Sequence, residues 1–383
     1  MSAALLLTVL LAQTTGGPSS PAPKWVRPEP STLKKVYGLR HAFELSEFEL
    51  LKNNQEEWTR PYVSADGVRM FAGARTGRLE CREVGTGELL WYRNDLGAIG
   101  ASMGEFRGQL VVGSDSSLLL LEQQLGQDRK KVDLSGAIGG RLTITGTVAI
   151  IPIRPNLVMA VDLVAGQELW RYKRATPDGI TVRGQAAPTV DPVGRKVYAG
   201  YSDGALVALS LDKGTPLWTA QLGNARDFFA DVDTQPLLVD GQAALIAASY
   251  NGGLYKLDAS NGRPIWKQEI FRILGLTQAS PGLLVASDGD GQVLGLFEAT
   301  GKVRWRYKLK HGAPTEPVAL GRSLVAVGAS NGPLAILDVE EGQPVQLFNP
   351  GSGLSVAPYA RDQDLVIMTN KAGFLALRYG EGR

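Results

Sequence analysis

The chain has 383 residues, enough for two or three ordinary domains or for one large repeat array. Its 40 basic and 38 acidic side chains leave a formal net charge of +2, so bulk electrostatics does not indicate a nucleic-acid-binding protein. The single cysteine, Cys81, excludes an internal disulfide framework and any metal site built from several cysteines.

An apolar run, AALLLTVLLA at 3–12, begins the chain and is too short to span a bilayer. Residues 16–30 are rich in Pro, Gly and Ser. This layout is typical of a secretory signal followed by a flexible tether, so we expect a signal peptide at 1–15 and a linker at 16–35. Because no cysteine follows the apolar run, we expect an exported protein without a lipoprotein cysteine.

From about residue 36 onward one pattern of turn, strand, turn and strand recurs, as in DGALVALSLDKGTPLW at 203–218. A turn residue, usually glycine because glycine reaches positive φ without a Cβ penalty, is followed fourteen residues later by tryptophan. The tryptophans in phase are Trp91, Trp170, Trp218, Trp266 and Trp305. Three further copies begin at Ser117, Gly332 and Gly373, and the copy at Gly332 has Gln346 in the tryptophan position.

Each copy of about 40 residues holds four short apolar runs without a helical period, which is typical of a β-propeller blade. The sequence therefore predicts an all-β, eight-bladed propeller of four-stranded antiparallel blades over 36–383. We expect each tryptophan to pack against the next blade. The eighth copy stops before its last strand, so we expect the segment 41–50 to supply that strand and close the ring.

The spacing of the copies is 39 to 41 residues except for two consecutive intervals of 48 residues. The extra residues fall after the tryptophan strand, at 174–184 and 222–233, and hence on the same face of neighbouring blades. A loop that is elongated only on neighbouring blades indicates a functional surface.

The inventory of catalytic groups is poor. His41 and His311 have no metal-ligand spacing, and Cys81 lies in the third strand of its blade without a neighbouring histidine. The DGDG at 288–291 favours a hairpin turn over a calcium loop, because the further ligands are missing. We therefore expect no catalytic residue, no metal and no cofactor.

The two long loops carry the candidate binding residues Ile180, Val182, Arg183, Asp231 and Asp233. In one interpretation the cation pairs with the two carboxylates or presents them to a partner, and the aromatic pair at 228–229 adds interface surface. In the other, the acids cap a strand and the apolar pair packs inward.

The repeated A-x-D-x3-G-x3-W, complete at 160–170, resembles the tryptophan-docking motif of quinoprotein propellers. Those dehydrogenases bind pyrroloquinoline quinone and calcium, and many use an adjacent-cysteine disulfide. With one cysteine and no cofactor-site signature, the chain resembles the non-enzymatic branch.

Within that branch, ITVRGQAAP at 180–188 and DVDTQP at 231–236 are similar to segments of the BamB family. The resemblance implies a non-catalytic periplasmic scaffold of the outer-membrane β-barrel assembly (Bam) machinery. It also implies contacts with the POTRA domains of BamA through Ile180, Val182, Arg183, Asp231 and Asp233. Two alternatives stay open: a quinoprotein oxidoreductase dependent on pyrroloquinoline quinone, and a general periplasmic protein-binding propeller.

Overall fold

The computed structural model describes residues 24–26, 36–44, 59–175, 185–224, 229–371 and 373–380. Apart from a 3-10 turn at Asp240–Gln242, the regular structure of these residues is β-strand. No helix among them is long and apolar enough to cross a membrane. The expected signal peptide lies outside the described residues, and of the expected linker only 24–26 is described.

Eight sheets, which we number as blades in chain order, account for the strands. Blade 1 contains β3 (Tyr62–Val63), β4 (Arg69–Gly73), β5 (Leu79–Glu83) and β6 (Leu89–Arg93), and blade 2 contains β7 (Ile99–Phe106), β8 (Gln109–Ser114), β9 (Ser117–Glu122) and β10 (Asp128–Asp133). Blade 3 contains β11 (Thr143–Thr145), β12 (Val148–Ile153), β13 (Leu157–Asp162) and β14 (Gln167–Lys173), and blade 4 contains β15 (Thr189–Asp191), β16 (Lys196–Gly200), β17 (Ala205–Ser210) and β18 (Pro216–Gln221).

Blades 5 to 8 follow the same plan, and an early strand is the fifth strand of blade 6 and the fourth strand of blade 8. Blade 5 contains β19 (Leu237–Val239), β20 (Ala244–Ser249), β21 (Gly253–Asp258) and β22 (Pro264–Gln268), and blade 6 contains β23 (Ile273–Ser280), β24 (Leu283–Asp288), β25 (Gln292–Phe297) and β26 (Val303–Lys308) with β1 (Lys24–Val26). Blade 7 contains β27 (Val318–Leu320), β28 (Leu324–Val327), β29 (Leu334–Asp338) and β30 (Pro344–Phe348), and blade 8 contains β31 (Tyr359–Arg361), β32 (Asp364–Met368) and β33 (Gly373–Tyr379) with β2 (Tyr37–Glu44).

The predicted eight-bladed propeller of four-stranded antiparallel blades is confirmed. First strands contact one another around the central axis, and each chain segment then runs outward to the fourth strand. Blade 6 departs from the plan, because β1 pairs in parallel with β26 as a fifth, outermost strand.

The core lies between the blades. In blade 4, β16 and β17 are almost wholly buried, whereas β18 alternates between exposed and half-buried residues. Middle strands are covered on both faces by neighbouring sheets, so they consist of continuous apolar residues, as expected for doubly covered strands. Apolar clusters join blade 3 to blade 4 and blade 4 to blade 5 in the same way.

The five in-phase tryptophans dock on the next blade, as the repeat predicts. Each indole Nε1 donates a hydrogen bond to a backbone carbonyl in the following blade, just before the turn between its third and fourth strands. The bonds join Trp91 to Gln123 O (2.8 Å), Trp170 to Leu211 O (2.7 Å), Trp218 to Ala259 O (3.2 Å), Trp266 to Glu298 O (3.1 Å) and Trp305 to Val339 O (2.8 Å).

A glycine in that turn makes room for the indole. Gly342 has φ +68°, and a Cβ placed on it would lie 2.4 Å from the Trp305 ring, far inside van der Waals contact. The equivalent glycines of the other docked turns, Gly126, Gly214, Gly262 and Gly301, stand within the same close range of their tryptophans. The turn glycine is therefore required twice, by its backbone conformation and by the ring packed on it.

The ring is closed by the strand that comes from the N-terminal side. β2 pairs with β33 from Tyr37 opposite Tyr379 to Glu44 opposite Gly373. Closure by the two ends is thus confirmed, but the strand begins before the predicted segment 41–50, because the residues at 37–39 continue the pairing past a bulge at Arg40. Residues 45–50 lie outside the described part of the chain.

His41 occupies the tryptophan position of blade 8. It follows the bulge in the fourth strand just as Trp170 does, and its Nε2 donates to Gly85 O in blade 1 at 2.9 Å. The ring of Phe43 fills the space over Gly87, where a Cβ would lie 2.2 Å from it. His41 is therefore a docking residue of the closing blade.

Gln346 takes the tryptophan position of blade 7, and its amide binds the entering strand. Its Oε1 accepts hydrogen bonds from Val36 N (2.9 Å) and Tyr37 N (2.7 Å), and its Nε2 donates to Tyr37 O (2.8 Å). An amide carries both a donor and acceptors. It can therefore satisfy backbone groups that an indole, which only donates, would leave unpaired.

Changing Gly342 to Ala tests the docking of the indole on its turn. We expect Gly342→Ala to lower the free energy of unfolding more than Gly321→Ala, by about 1–3 kcal/mol, because only the first forces a methyl group into a packed ring. Gly321 is a matched control in the same blade, with φ +66° and nothing within 4 Å of an added Cβ. Urea denaturation followed by circular dichroism measures both, and equal losses would contradict the docking explanation.

Replacing Gln346 by Met tests the closure of the ring. The substitution keeps the volume but leaves the buried N–H and C=O of Tyr37 without partners, so we expect a loss of about 2–4 kcal/mol in unfolding free energy. Hydrogen exchange at 37–44 should become faster. Gln343→Met, at an exposed position of the same blade, is the control and should change neither quantity. Unaltered exchange at 37–44 in Gln346→Met would show that this amide does not hold the strand.

Candidate partner-binding face

Two long loops lie next to each other on one face of the ring. The first joins β14 to β15, and the second joins β18 to β19. Each runs from the outermost strand of one blade to the innermost strand of the next. Because antiparallel strands alternate in direction, all such loops share one face with the turns between second and third strands. The structure describes 174–175 and 185–188 of the first loop, and 222–224 and 229–236 of the second.

The first loop is fixed at its start by blades 3 and 4. Arg174 pairs with Asp203, with 2.6 Å between Nη2 and Oδ2. Burial acts to lower the pKa of Arg174, but the Asp203 carboxylate and the Tyr172 hydroxyl together outweigh it, so that pKa is raised. Asn156, at φ 51°, donates from Nδ2 to Ala175 O (2.9 Å) and accepts at Oδ1 from the hydroxyl of Ser202 (2.9 Å).

The second loop packs down on the same turn of blade 4. Val232 is fully buried, and its N–H donates to Tyr201 O at 3.1 Å. A Cβ on Gly200 would lie 2.3 Å from Val232 O, so glycine permits this close approach of two backbones. At the start of the loop, Leu222 N–H donates to Gly204 O at 2.8 Å. The turn at 201–204 therefore lies between the two loops and anchors both.

The structure describes two of the five predicted binding residues, Asp231 and Asp233. Ile180, Val182 and Arg183 lie outside the described residues. Asp231 is only 2% exposed, and its backbone carbonyl accepts from Tyr250 N at 2.9 Å. Asp233 is half-buried and lines a cavity on the axis. The two carboxylates, two residues apart in sequence, thus have different surroundings.

Phe229 offers aromatic surface beside these acids. Its side chain is 39% exposed, and its ring meets the edge of Tyr250 with centroids 6.0 Å apart. An exposed aromatic side chain supported by a second ring is typical of protein interfaces. The other residue of the predicted aromatic pair, Phe228, lies outside the described residues.

A cavity of about 650 Å³ opens on the axis, on the same face as the loops. Most of its lining residues come just before the first strands or at their start, and Arg75, Asp115 and Arg154 come from turns between second and third strands. An ion pair across the axis lies in its wall: Arg141 Nη2 lies 2.7 and 2.9 Å from the two carboxylate oxygens of Glu316, and 3.2 Å from Gln235 Oε1. Arg141 precedes blade 3 and Glu316 precedes blade 7, which are opposite blades of the ring.

Sequence reasoning did not identify this axial group. The signal was available in TQP and TEP, where a polar residue precedes the proline at the start of an inner strand. The closure of the ring turns the residues before the first strands toward a common axis, which a reading of single copies does not show.

Outside this face, the described residues include few groups suited to catalysis or metal binding. Cys81 is fully buried, and burial raises the pKa of its thiol to about 12, so the nucleophilic thiolate is scarce. Within the described ranges no group of three or more His, Cys, Asp or Glu could hold a metal ion. The DGDG segment is the predicted hairpin turn between β24 and β25, with Asp288 Oδ1 accepting from the N–H groups of Asp290 (3.0 Å) and Gln292 (2.8 Å).

Fold and site together define a class: a tryptophan-docked propeller of the quinoprotein-like repeat type, with a loop-rich face. The family model described as outer membrane protein assembly factor BamB matches residues 75–307 and 272–383. The chain belongs to the BamB family of outer membrane protein assembly factors, and the expected membership of that family is confirmed.

Individual members of the BamB family also match this chain over most of its length. The BamB of Burkholderia pseudomallei is 28% identical over 361 residues, which cover 87% of this chain and 90% of the relative. The crystal structure of BamB from Moraxella catarrhalis matches with a TM-score of 0.76 at 25% identity, over 90% of this chain and all of that one. These relatives are assembly factors, in agreement with the expected non-catalytic protein.

Quinoprotein enzymes are similar to this chain in fold alone. The quinohemoprotein alcohol dehydrogenase of Comamonas testosteroni matches with a TM-score of 0.70 at 14% identity, over 90% of this chain and 76% of that one. Blade geometry is thus shared with enzymes, whereas the sequence relationship is with assembly factors.

Replacing Asn156 by Gly tests how the first loop is held. Glycine keeps the left-handed backbone but removes hydrogen bonds worth about 1 kcal/mol each, so we expect tryptic cleavage after Arg174 to become about tenfold faster. Quantitative mass spectrometry of timed digests measures this rate. Asn261→Gly, in a turn on the opposite face, is the control and should leave the rate unchanged. Equal rates in all three proteins would contradict the anchoring role of Asn156.

Proposed function

We propose that the chain is a non-catalytic periplasmic scaffold of the Bam machinery that binds the POTRA domains of BamA through the two long loops. The observation that carries the proposal is their shared anchor, the turn of blade 4 at 201–204, which places both loops on one face. The same loops contain the segments similar to the BamB family.

From their burial we infer different roles for the two acids of the second loop. Asp231, at 2% exposure, supports the loop from within, and its backbone joins the loop to Tyr250 of blade 5. Asp233 is half-buried and lines the axial cavity, and we infer that its carboxylate meets the partner there. Together with Ile180, Val182 and Arg183 it forms the proposed contact set, flanked by the exposed ring of Phe229.

The proposed location follows from the proposed partner. We place the protein in the periplasm, associated with the outer membrane through the Bam complex. The described ends of both loops are anchored to one turn of blade 4, so these residues meet a partner already ordered, which reduces the entropy cost of binding.

Charge reversal at the loops tests the proposal. We expect Arg183→Glu and Asp233→Arg each to weaken binding of purified BamA POTRA domains at least tenfold, because disrupting a desolvated charge pair costs about 2–5 kcal/mol. Biolayer interferometry measures the affinities, and circular dichroism confirms the fold. Asp233 is preferred to Asp231, because reversing the charge of a buried side chain would disturb the loop itself.

Matched controls come from the opposite face. Arg195 and Asp212 form an exposed ion pair in the turn region of blade 4, and Arg195→Glu and Asp212→Arg make the same changes of charge there. Both should bind POTRA domains like the parent chain. Wild-type affinity in the two loop variants, or equal weakening in the controls, would overturn this assignment.

A further inference from the structure

Arg141 joins the second long loop to the opposite side of the ring. Its Nη2 lies 3.2 Å from Oε1 of Gln235, near the inner end of that loop, and 2.7 and 2.9 Å from the two carboxylate oxygens of Glu316. Because Arg141 precedes the first strand of blade 3 and Glu316 precedes that of blade 7, these contacts cross the central axis. The loop residue is thus held by an arginine that a carboxylate of the opposite blade fixes in turn.

The ion pair is enclosed enough to hold the arginine in place. The side chains of Arg141 and Glu316 are 24% and 26% exposed, so solvent and salt screen the pair less than an ion pair on the open surface. Charge-assisted hydrogen bonds of this kind are also stronger than neutral ones. The same guanidinium nitrogen serves the carboxylate and the amide, so loss of the carboxylate would release the donor that Gln235 uses.

The same end of blade 3 also contacts the first loop. Thr143 lies two residues after Arg141, and its Oγ1 donates to Pro188 O, at the inner end of the first loop, at 2.6 Å. One blade further, the hydroxyl of Thr189 donates to Pro236 O at the inner end of the second loop. The start of the first strand of blade 3 therefore contacts the inner ends of both loops, and Arg141 connects it to the far side of the axis.

We propose that Arg141 is a positioning residue of the partner-binding face, which sets the orientation of the second loop at 231–236 through Gln235 and Glu316. The consequence for binding rests on the proposed function, because Asp233 of the proposed contact set lies two residues before Gln235 and lines the same cavity. Glu316 acts through Arg141 and does not touch the partner. A residue of blade 7 thereby influences a surface built by blades 3 to 5.

Hydrogen exchange of the purified full chain tests the positioning without any partner. Arg141→Met and Glu316→Gln should each make exchange at 229–236 about tenfold faster, because the loop loses a donor held by a charged group. Exchange in β20, in the core of blade 5, should change much less. Equal acceleration in both regions would mean a loss of global stability and would overturn the positioning role.

Changes at Gln235 separate the hydrogen bond from the ion pair. Gln235→Leu removes the acceptor and leaves the pair between Arg141 and Glu316 intact, so it should speed exchange at 229–236 as Arg141→Met does. Gln235→Glu keeps an acceptor oxygen at that position and should retain the slow exchange of the parent chain. Identical exchange in Gln235→Leu and the parent chain would show that this bond does not order the loop.

Matched controls break an ion pair on the opposite face. Arg195→Met and Asp212→Asn repeat the two changes of charge in the exposed pair of blade 4. Both should leave exchange at 229–236 unchanged. Faster exchange there in these controls would attribute the effect to the loss of any ion pair and would overturn the specific role of Arg141.

Affinity for BamA POTRA domains shows whether Glu316 acts through Arg141. Arg141→Met and Glu316→Gln should each weaken binding about fivefold, and Glu316→Gln should cause no further loss once Arg141 is methionine, since coupled residues are not additive. Biolayer interferometry measures the four proteins of this cycle. A Glu316→Gln effect that persists in the Arg141→Met chain would mean that the carboxylate meets the partner itself, and would overturn the proposed route.

The exchange and affinity measurements keep this inference apart from the proposed function. If the parent chain does not bind POTRA domains but exchange at 229–236 responds to Arg141→Met, the proposed function fails and the positioning role stands. If the loop variants weaken POTRA binding while Arg141→Met and Glu316→Gln change neither exchange nor affinity, the positioning role fails and the proposed function stands.

Discussion

The contact between an indole ring and a glycine turn holds one blade to the next. Each docked tryptophan buries its ring on the following blade and bonds a carbonyl there, so neighbouring blades are joined at their outer strands as well as in the core. A ring of such units transmits its stability from neighbour to neighbour. The contact must therefore be replaced wherever a tryptophan is missing, or the ring is weakened at that point.

The replacements fit what each neighbour offers. In blade 2 the aliphatic part of Lys130 lies over Gly166, and its ammonium group donates to Val164 O. In blade 7 the neighbour is a strand arriving from the N-terminal side, so an amide takes the position and binds both backbone groups of Tyr37. In blade 8, His41 supplies the donor. The same place in the fold is filled by the side chain whose donors and acceptors match its partner.

Much of the frame could be predicted from sequence because it repeats. The turn residue recurs eight times at intervals of 39 to 48 residues, with tryptophan at a fixed distance in five copies, and this recurrence predicts the number of blades. The closing strand begins at Tyr37, before the segment 41–50 expected from the sequence, because its pairing continues past the bulge at Arg40 to residues 37–39.

The candidate site was harder to predict, for a physical reason. The two long loops are visible in sequence as a break in spacing, but the burial of Asp231 depends on the turn of another blade. The ion pair between Arg141 and Glu316 joins residues that are 175 positions apart, and only closure of the ring brings them together. Local patterns report which residues repeat, whereas contacts across the axis follow from the whole ring.

The functional account rests on one asymmetry: a repeated frame carries its elongated loops and its axial cavity on one face. Hydrogen exchange of the chain with and without the POTRA domains of BamA tests this most directly. The account predicts slowed exchange at 174–188 and 222–236, and no change in the opposite-face turns at 211–215 and 259–263. Protection of those opposite turns, with the two loops unaffected, would contradict it.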